Sequence, residues 1–178
     1  MTQRLQAKLK LEALRSYALR ALSQRGLSVS ELRRKLHLRA ENPADVDAVL
    51  DAFQSCGYLD DQRLSEGFAE SRAQSGAIGQ QRVLRDLLKK RIAPGTAREA
   101  VTRAFENVDE PALIREYLER KVRGKDLGDY LKEPKNLASL YRRLRTAGFS
   151  SSSSIRVLKS YSAHADELES LESADGES

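Results

Sequence analysis

The chain has 178 residues, 40% hydrophobic and 32% charged, with no tryptophan and one cysteine, Cys56. That length suits one domain or a short string of small units, and the lone cysteine excludes an intramolecular disulfide framework and a cysteine-based zinc site. The formal charge of +5 conceals an asymmetry: residues 163–178 hold six acids and no Lys or Arg, so 20 of the 26 acids face all 31 basic residues in 1–162, leaving +11 there.

A body this basic favours nucleic acid or an acidic protein surface as partner. No stretch is apolar enough to span a bilayer and no apolar segment follows the start, so neither a membrane span nor a secretory signal is expected. A single thiol fits a reducing cytoplasm.

In chain order, the apolar periodicity and end signals predict helices near 9–24, 29–39, 43–55, 61–75, 80–91, 95–106, 110–123, 134–147 and 152–162. Ser28-Val29-Ser30-Glu31 reads as a capping box opening the second helix. Asn42-Pro43 reads as an N-cap followed by proline at the first helical position. Val46, Val49, Leu50 and Phe53 fall at i, i+3, i+4 and i+7, one face of a helix. Asp60-Asp61 at the next start reads as cap and dipole partners rather than a metal site. Asp109 before Pro111 opens another helix, and Leu137, Leu140, Tyr141 and Leu144 repeat the one-face pattern. Gly26, Gly57, Gly76 and Gly148 stand where helices stop. Gly124–Glu133 reads as a longer loop.

An internal repeat is visible. Leu32, Leu36, Val49 and Phe53 share their spacing with Leu84, Leu88, Val101 and Phe105, and with Leu140, Leu144, Val157 and Tyr161. A three-helix unit of about 50 residues is marginal alone and gains by stacking. The expected fold is therefore all-α: three tandem three-helix repeats in an elongated, curved array. The divisions are 1–59 with an N-terminal flank, 60–108 and 109–162, followed by an acidic, Ser-rich and disordered tail, 163–178.

Basic residues cluster on the middle helix of each copy: Arg33 and Arg34; Arg82, Arg85, Lys89 and Lys90; Arg142, Arg143 and Arg145, joined by Arg156 and Lys159 on the next helix. These eleven are the candidate partner- or DNA-binding face. Phosphate contacts would give salt-sensitive, sequence-tolerant affinity. A stacking groove for single strands is weakly supported, because most aromatics, Tyr141 included, read as core.

No catalytic constellation is present. Gly76-Ala77-Ile78-Gly79 lacks the Lys-Ser/Thr of a phosphate loop. His37 reads as exposed, and Cys56, just before Gly57, as a buried or half-buried small residue. No enzyme activity, cofactor or metal is expected. The segment from Arg25 to Arg34 has a helix-turn-helix look, but Val, Ser and Glu stand where a base reader would carry Asn or Gln.

Several motifs resemble the RecX family, bacterial regulators of the RecA recombinase. Ala18-Leu19-Arg20-Ala21-Leu22-Ser23 followed by Ser30-Glu31-Leu32-Arg33-Arg34-Lys35-Leu36 is similar to its opening. Gly57-Tyr58-Leu59-Asp60-Asp61-Gln62-Arg63 is similar to its most recognisable segment. Gly79 with Arg82-Val83 and Leu87, then Arg143 with Gly148-Phe149-Ser150, continue the order across about residues 14–161. There are departures. Leu64-Ser65 replaces the family's Phe-Ala, and Lys90-Arg91-Ile92 replaces Lys-Gly-Ile and its helix-ending glycine. The resemblance implies all-helical tandem modules that bind RecA–DNA filaments and suppress ATP hydrolysis, strand exchange and coprotease activity, within DNA repair and the SOS response. The expected partners are the RecA filament and single- or double-stranded DNA, met by a monomer. The alternative is a helical DNA-binding architectural or transcriptional regulator acting through the basic face.

Overall fold

A computed structural model of the chain describes residues 8–162. The acidic tail and His164 lie outside the described residues. Ten helices and no strand occupy the described residues: α1 (Leu11–Gln24), α2 (Val29–Arg39), α3 (Ala44–Ser55), α4 (Asp61–Ser75), α5 (Gln80–Lys89), α6 (Pro94–Phe105), α7 (Glu110–Lys121), α8 (Leu127–Leu131), α9 (Pro134–Ala147) and α10 (Ser151–Lys159). The all-α class is as expected. The chain divides into two compact units, one of residues up to Phe68 with Asp86–Ala100, the other of Ala69–Arg85 with the residues from Val101 onward.

In the first unit, α1, α2 and α3 bury one face each around Leu14, Ala18, Leu32, Leu36, Val46, Val49 and Leu50. A large aliphatic side chain taken fully from water contributes roughly 1.5–3 kcal/mol, so this cluster outweighs the weak propensities of the individual helices. The α2 start is fixed three ways. Ser28 and Glu31 form the capping box, and the Asp61 carboxylate accepts the Val29 N–H at 2.9 Å. The Ser28 hydroxyl also donates to the Lys90 carbonyl. Asp60 caps its own helix by accepting the Arg63 N–H at 3.0 Å, so the Asp60-Asp61 pair serves two different helices. Asn42 accepts the Ala44 N–H at 3.1 Å just ahead of α3, but the helix opens one residue later than expected, with Pro43 rather than Asn42 at its N-cap.

Three helices end in the same turn. After α3, Gly57 donates to Gln54 and Tyr58 to Phe53; after α5, Arg91 donates to Leu88 and Ile92 to Leu87; after α9, Gly148 donates to Arg145 and Phe149 to Leu144. This is the Schellman pattern, which needs a left-handed residue. Gly57 and Gly148 supply φ of 70° and 92°, whereas α5 uses Arg91 at φ 60°, the one non-glycine residue at positive φ among those described. A side chain there costs about 1–2 kcal/mol. Arg91→Gly is therefore expected to raise the urea midpoint, a gain of about 1 kcal/mol once glycine's greater unfolded freedom is set against the relief. An unchanged or lower midpoint would refute the strain.

The second unit gathers Ile114, Leu118, Leu131, Leu137, Leu140, Tyr141, Leu144, Ile155, Val157 and Leu158 around fully buried Phe149. Tyr117 meets Phe149 edge-on at 5.6 Å. Glu110, opening α7, accepts both the N–H and the hydroxyl of Ser150, at 2.8 and 2.5 Å, and so ties α7 to the α10 cap. The stretch read as a loop, Gly124–Glu133, contains α8. Asp126 caps it by accepting the Asp129 N–H at 2.8 Å, and Leu131 is buried.

The N-terminal turn of α5 lies against the end of α9 with almost no space between backbones. Gly79 donates to the Ala147 carbonyl at 2.9 Å and Gln81 to that of Gly148 at 3.1 Å. A Cβ on Gly79 would fall 2.3 Å from the Gly148 carbonyl oxygen, and one on Gly148 2.3 Å from the Arg82 nitrogen.

One part of the expected register is corrected. Leu88 is exposed, at 39%, and Leu84 half-buried, while Val83 and Leu87 hold the buried face of α5. The doublets Val83-Leu84 and Leu87-Leu88 offer an apolar i, i+4 pair in either frame, so composition alone does not choose between them.

Candidate partner-binding surface

In α9 the buried Leu140, Tyr141 and Leu144 turn Arg142 and Arg143 to the exposed side. Tyr141 is buried and its hydroxyl lies 2.7 Å from that of Ser151, so it is not available to stack a base. Arg145 is half-buried and donates to the Phe149 carbonyl at 2.9 Å. An open concavity of about 710 Å³ joins Arg145 to Arg156, Lys159, Gln81, Ser151 and Ser152. Arg156 and Lys159 are exposed on α10. Arg85 is exposed and its guanidinium donates to the Thr146 carbonyl at 3.2 Å, and Arg82 is half-buried beside the glycine joint. All seven expected cations after Gln81 and outside α5's last turn thus belong to the second unit. Arg145, Arg156 and Lys159 meet in one concavity, with Arg142 and Arg143 outside its lining.

The other four belong to the first unit. Arg33 is held by Asp47 at 2.5 Å. Arg34 and Lys89 line a second concavity, of about 350 Å³, with Arg25, Lys35, Arg39, Arg91, Ser30, Glu31, Tyr17 and Leu38. Lys90 is directed inward. Its ammonium pairs with Glu31 at 3.4 Å, and both side chains are only about one-fifth exposed (19% and 20%). Arg25 stands outside every predicted middle helix, whereas Arg91 closes the predicted 80–91 helix beside Lys89 and Lys90. In the structure neither lies within a helix, and the turns that bring them to α2 are tertiary features.

Glu31 is the electrostatic hub of the first unit. Burial pushes its carboxyl up, but the Ser28 N–H together with Lys90 and Arg25 outweighs burial and holds it below its ordinary 4.5. A carboxylate depressed on folding stabilises above its unfolded pKa, and that contribution is lost as pH falls through the folded value. Glu31→Gln keeps a capping-box reach but leaves Lys90 without its carboxylate. The expected loss is about 1 kcal/mol in neutral buffer, vanishing in buffer acidic enough to protonate Glu31. Asp61, raised chiefly by burial and also by the charges of Asp60 and Glu31, is relieved in the variant and trims the loss slightly. Urea midpoints in neutral and acidic buffer check this; a gap independent of pH would sink it.

Among the described residues no three His, Cys, Asp or Glu side chains group as a metal site requires. No helix there is long and apolar enough to cross a membrane. Cys56 is exposed, not buried or half-buried as expected, because it follows the last turn of α3 on the solvent side.

No family model matches the chain. Curated relatives do. The regulatory protein RecX of Leptothrix cholodnii is 31% identical over 147 residues, 83% of this chain and 88% of that protein. The regulatory protein RecX of Photobacterium profundum is 43% identical over 63 residues, 35% of this chain, and the match spans 24% of that relative's length. The crystal structure of RecX from Lactobacillus salivarius shares the fold, with a TM-score of 0.66 at 15% identity over 85% of this chain and 96% of that one. With nearly nine-tenths of a 31%-identical relative covered and ordered motifs along most of its length, this chain belongs to the RecX family of regulatory proteins.

Proposed function

We propose that this protein binds RecA–DNA filaments and restrains the recombinase, lowering ATP hydrolysis, strand exchange and coprotease activity. Family membership over nearly the full length of a relative is the observation that carries the reading. The exposed arginines on α9 and α10 add to it, since a filament presents both phosphates and acidic protein surface. In this reading the helices act as tandem three-helix modules, 1–59, 60–108 and 109–162, that contact more than one recombinase subunit. Each contact after the first is then intramolecular, which multiplies affinity without new chemistry.

The test is the DNA-dependent ATPase of a RecA recombinase titrated with the folded protein. Inhibition near stoichiometric ratios is expected, and none at those ratios overturns the reading. A second reading, direct DNA binding by an architectural or transcriptional regulator, is favoured by Arg142, Arg143 and Arg156 standing exposed with no acid between Pro134 and Ala163. It requires a steep fall of DNA affinity with salt in the absence of recombinase.

A further inference from the structure

We propose that the basic concavity of the first unit is a binding site for a compact, multiply charged phosphate. Six cations line it from three stretches of chain: Arg25 after α1, Arg34, Lys35 and Arg39 along α2, and Lys89 and Arg91 at the end of α5. Glu31 is the one acid in the lining, and its carboxylate is committed. One oxygen takes Arg25 at 3.2 Å; the other takes the Ser28 N–H at 3.1 Å and Lys90 at 3.4 Å. Glu31 therefore anchors the wall and leaves the site strongly positive.

Two features separate this site from an ordinary solvated helix face. Lys35 and Arg39 lie at i, i+4 on α2, a like-charge spacing that weakens a helix. Arg91 occupies a left-handed position that the same turn fills with Gly57 and Gly148 elsewhere in the chain. Backbone strain held at one place is a pointer to function there, and what this strain delivers is a guanidinium to the rim of the concavity.

The chemistry selects a phosphate over an acidic peptide. The volume, about 350 Å³, is that of a small-ligand site, and Tyr17 and Leu38 are the only large apolar side chains in its lining. Tyr17 is engaged by the Arg39 guanidinium at 5.2 Å from its ring. Forked guanidiniums match the oxygens of a phosphate bidentately, and the ammonium of Lys89 and the hydroxyl of Ser30 add donors. A di- or triphosphate offers several charges in the space available.

This inference goes beyond the filament reading and is tested without recombinase. The full-length protein is titrated calorimetrically with inorganic tripolyphosphate. One saturable site is expected, weakened about tenfold or more when two charge-assisted bonds are removed in Arg34→Ala/Lys89→Ala. Arg91→Gly is expected to weaken binding while raising the urea midpoint, a combination that unfolding does not produce. Arg115→Ala/Arg123→Ala, two exposed arginines of the other unit, leaves the affinity unchanged. No saturable binding overturns the proposal, as does equal loss in the Arg115/Arg123 variant, which would mean diffuse attraction. A short oligothymidylate without terminal phosphates forms the second arm. Competition with tripolyphosphate for these residues identifies a nucleic-acid backbone as the source, and no competition a free polyphosphate; both uphold phosphate recognition.

Discussion

Gly79→Ala is expected to destabilise the protein by about 3 kcal/mol, the upper end of the overpacking range, although it adds a single methyl group. The added carbon would lie 2.3 Å from the Gly148 oxygen and 2.5 Å from the Phe149 nitrogen. Both obstacles are backbone, so no rotamer change relieves them. The start of α5 would have to leave α9, breaking the Gly79–Ala147 and Gln81–Gly148 bonds. Gly148→Ala should be worse, because its Cβ meets Arg82 at 2.3 Å and its φ is 92°, adding about 1–2 kcal/mol of left-handed strain. Gly57→Ala is the control: φ is 70°, but nothing lies within 4 Å of the added carbon, so strain alone, about 1 kcal/mol, is expected. Urea melts of the three variants check the order. A Gly79→Ala midpoint as mild as that of Gly57→Ala would show that the two backbones are not in contact.

The same joint shows what could be read from the residues and what could not. The helix starts at α2 and α7 were legible because capping is local: Ser28 and Asp109 each act within three residues of themselves. The stops at Gly57 and Gly148 were legible for the same reason. The Gly79–Gly148 contact was not, since it joins positions 69 apart and glycine carries no side chain whose chemistry could announce a partner. Arg91 was noted as a departure from a glycine, yet that substitution alone does not say whether the turn moves or the arginine bends to it; the φ of 60° answers that. The basic face was legible as composition but not as grouping. Lys90 and Lys89 are neighbours of equal charge, and only burial beside Glu31 separates the one that holds the fold from the one that lines a concavity. The ambiguity of the two doublets in α5 was of the same kind: two frames were equally apolar, and packing chose Val83 and Leu87.

Arg142→Ala/Arg143→Ala/Arg156→Ala is expected to weaken binding to a recombinase–DNA filament about a hundredfold while leaving the fold intact. All three are exposed, on helices whose buried faces are Leu140, Leu144, Val157 and Leu158. Surface truncations of this kind shift stability by no more than about 0.5 kcal/mol. A cation about 4 Å from a phosphate or carboxylate gains on the order of 1 kcal/mol in a water-like dielectric, and three such losses make about two decades in Kd. Where the contacts are phosphates, the log–log salt dependence should also become shallower by about 0.9 for each one removed. These two readouts separate the partners. Weaker filament binding with an unchanged salt slope places the arginines on recombinase protein, and a shallower slope places them on DNA. The comparison variant is Arg85→Ala, whose guanidinium is engaged by the Thr146 carbonyl; its loss should fall well short of the triple variant's. An undiminished filament affinity in the triple variant would remove α9 and α10 from the interface and leave the first unit to carry it.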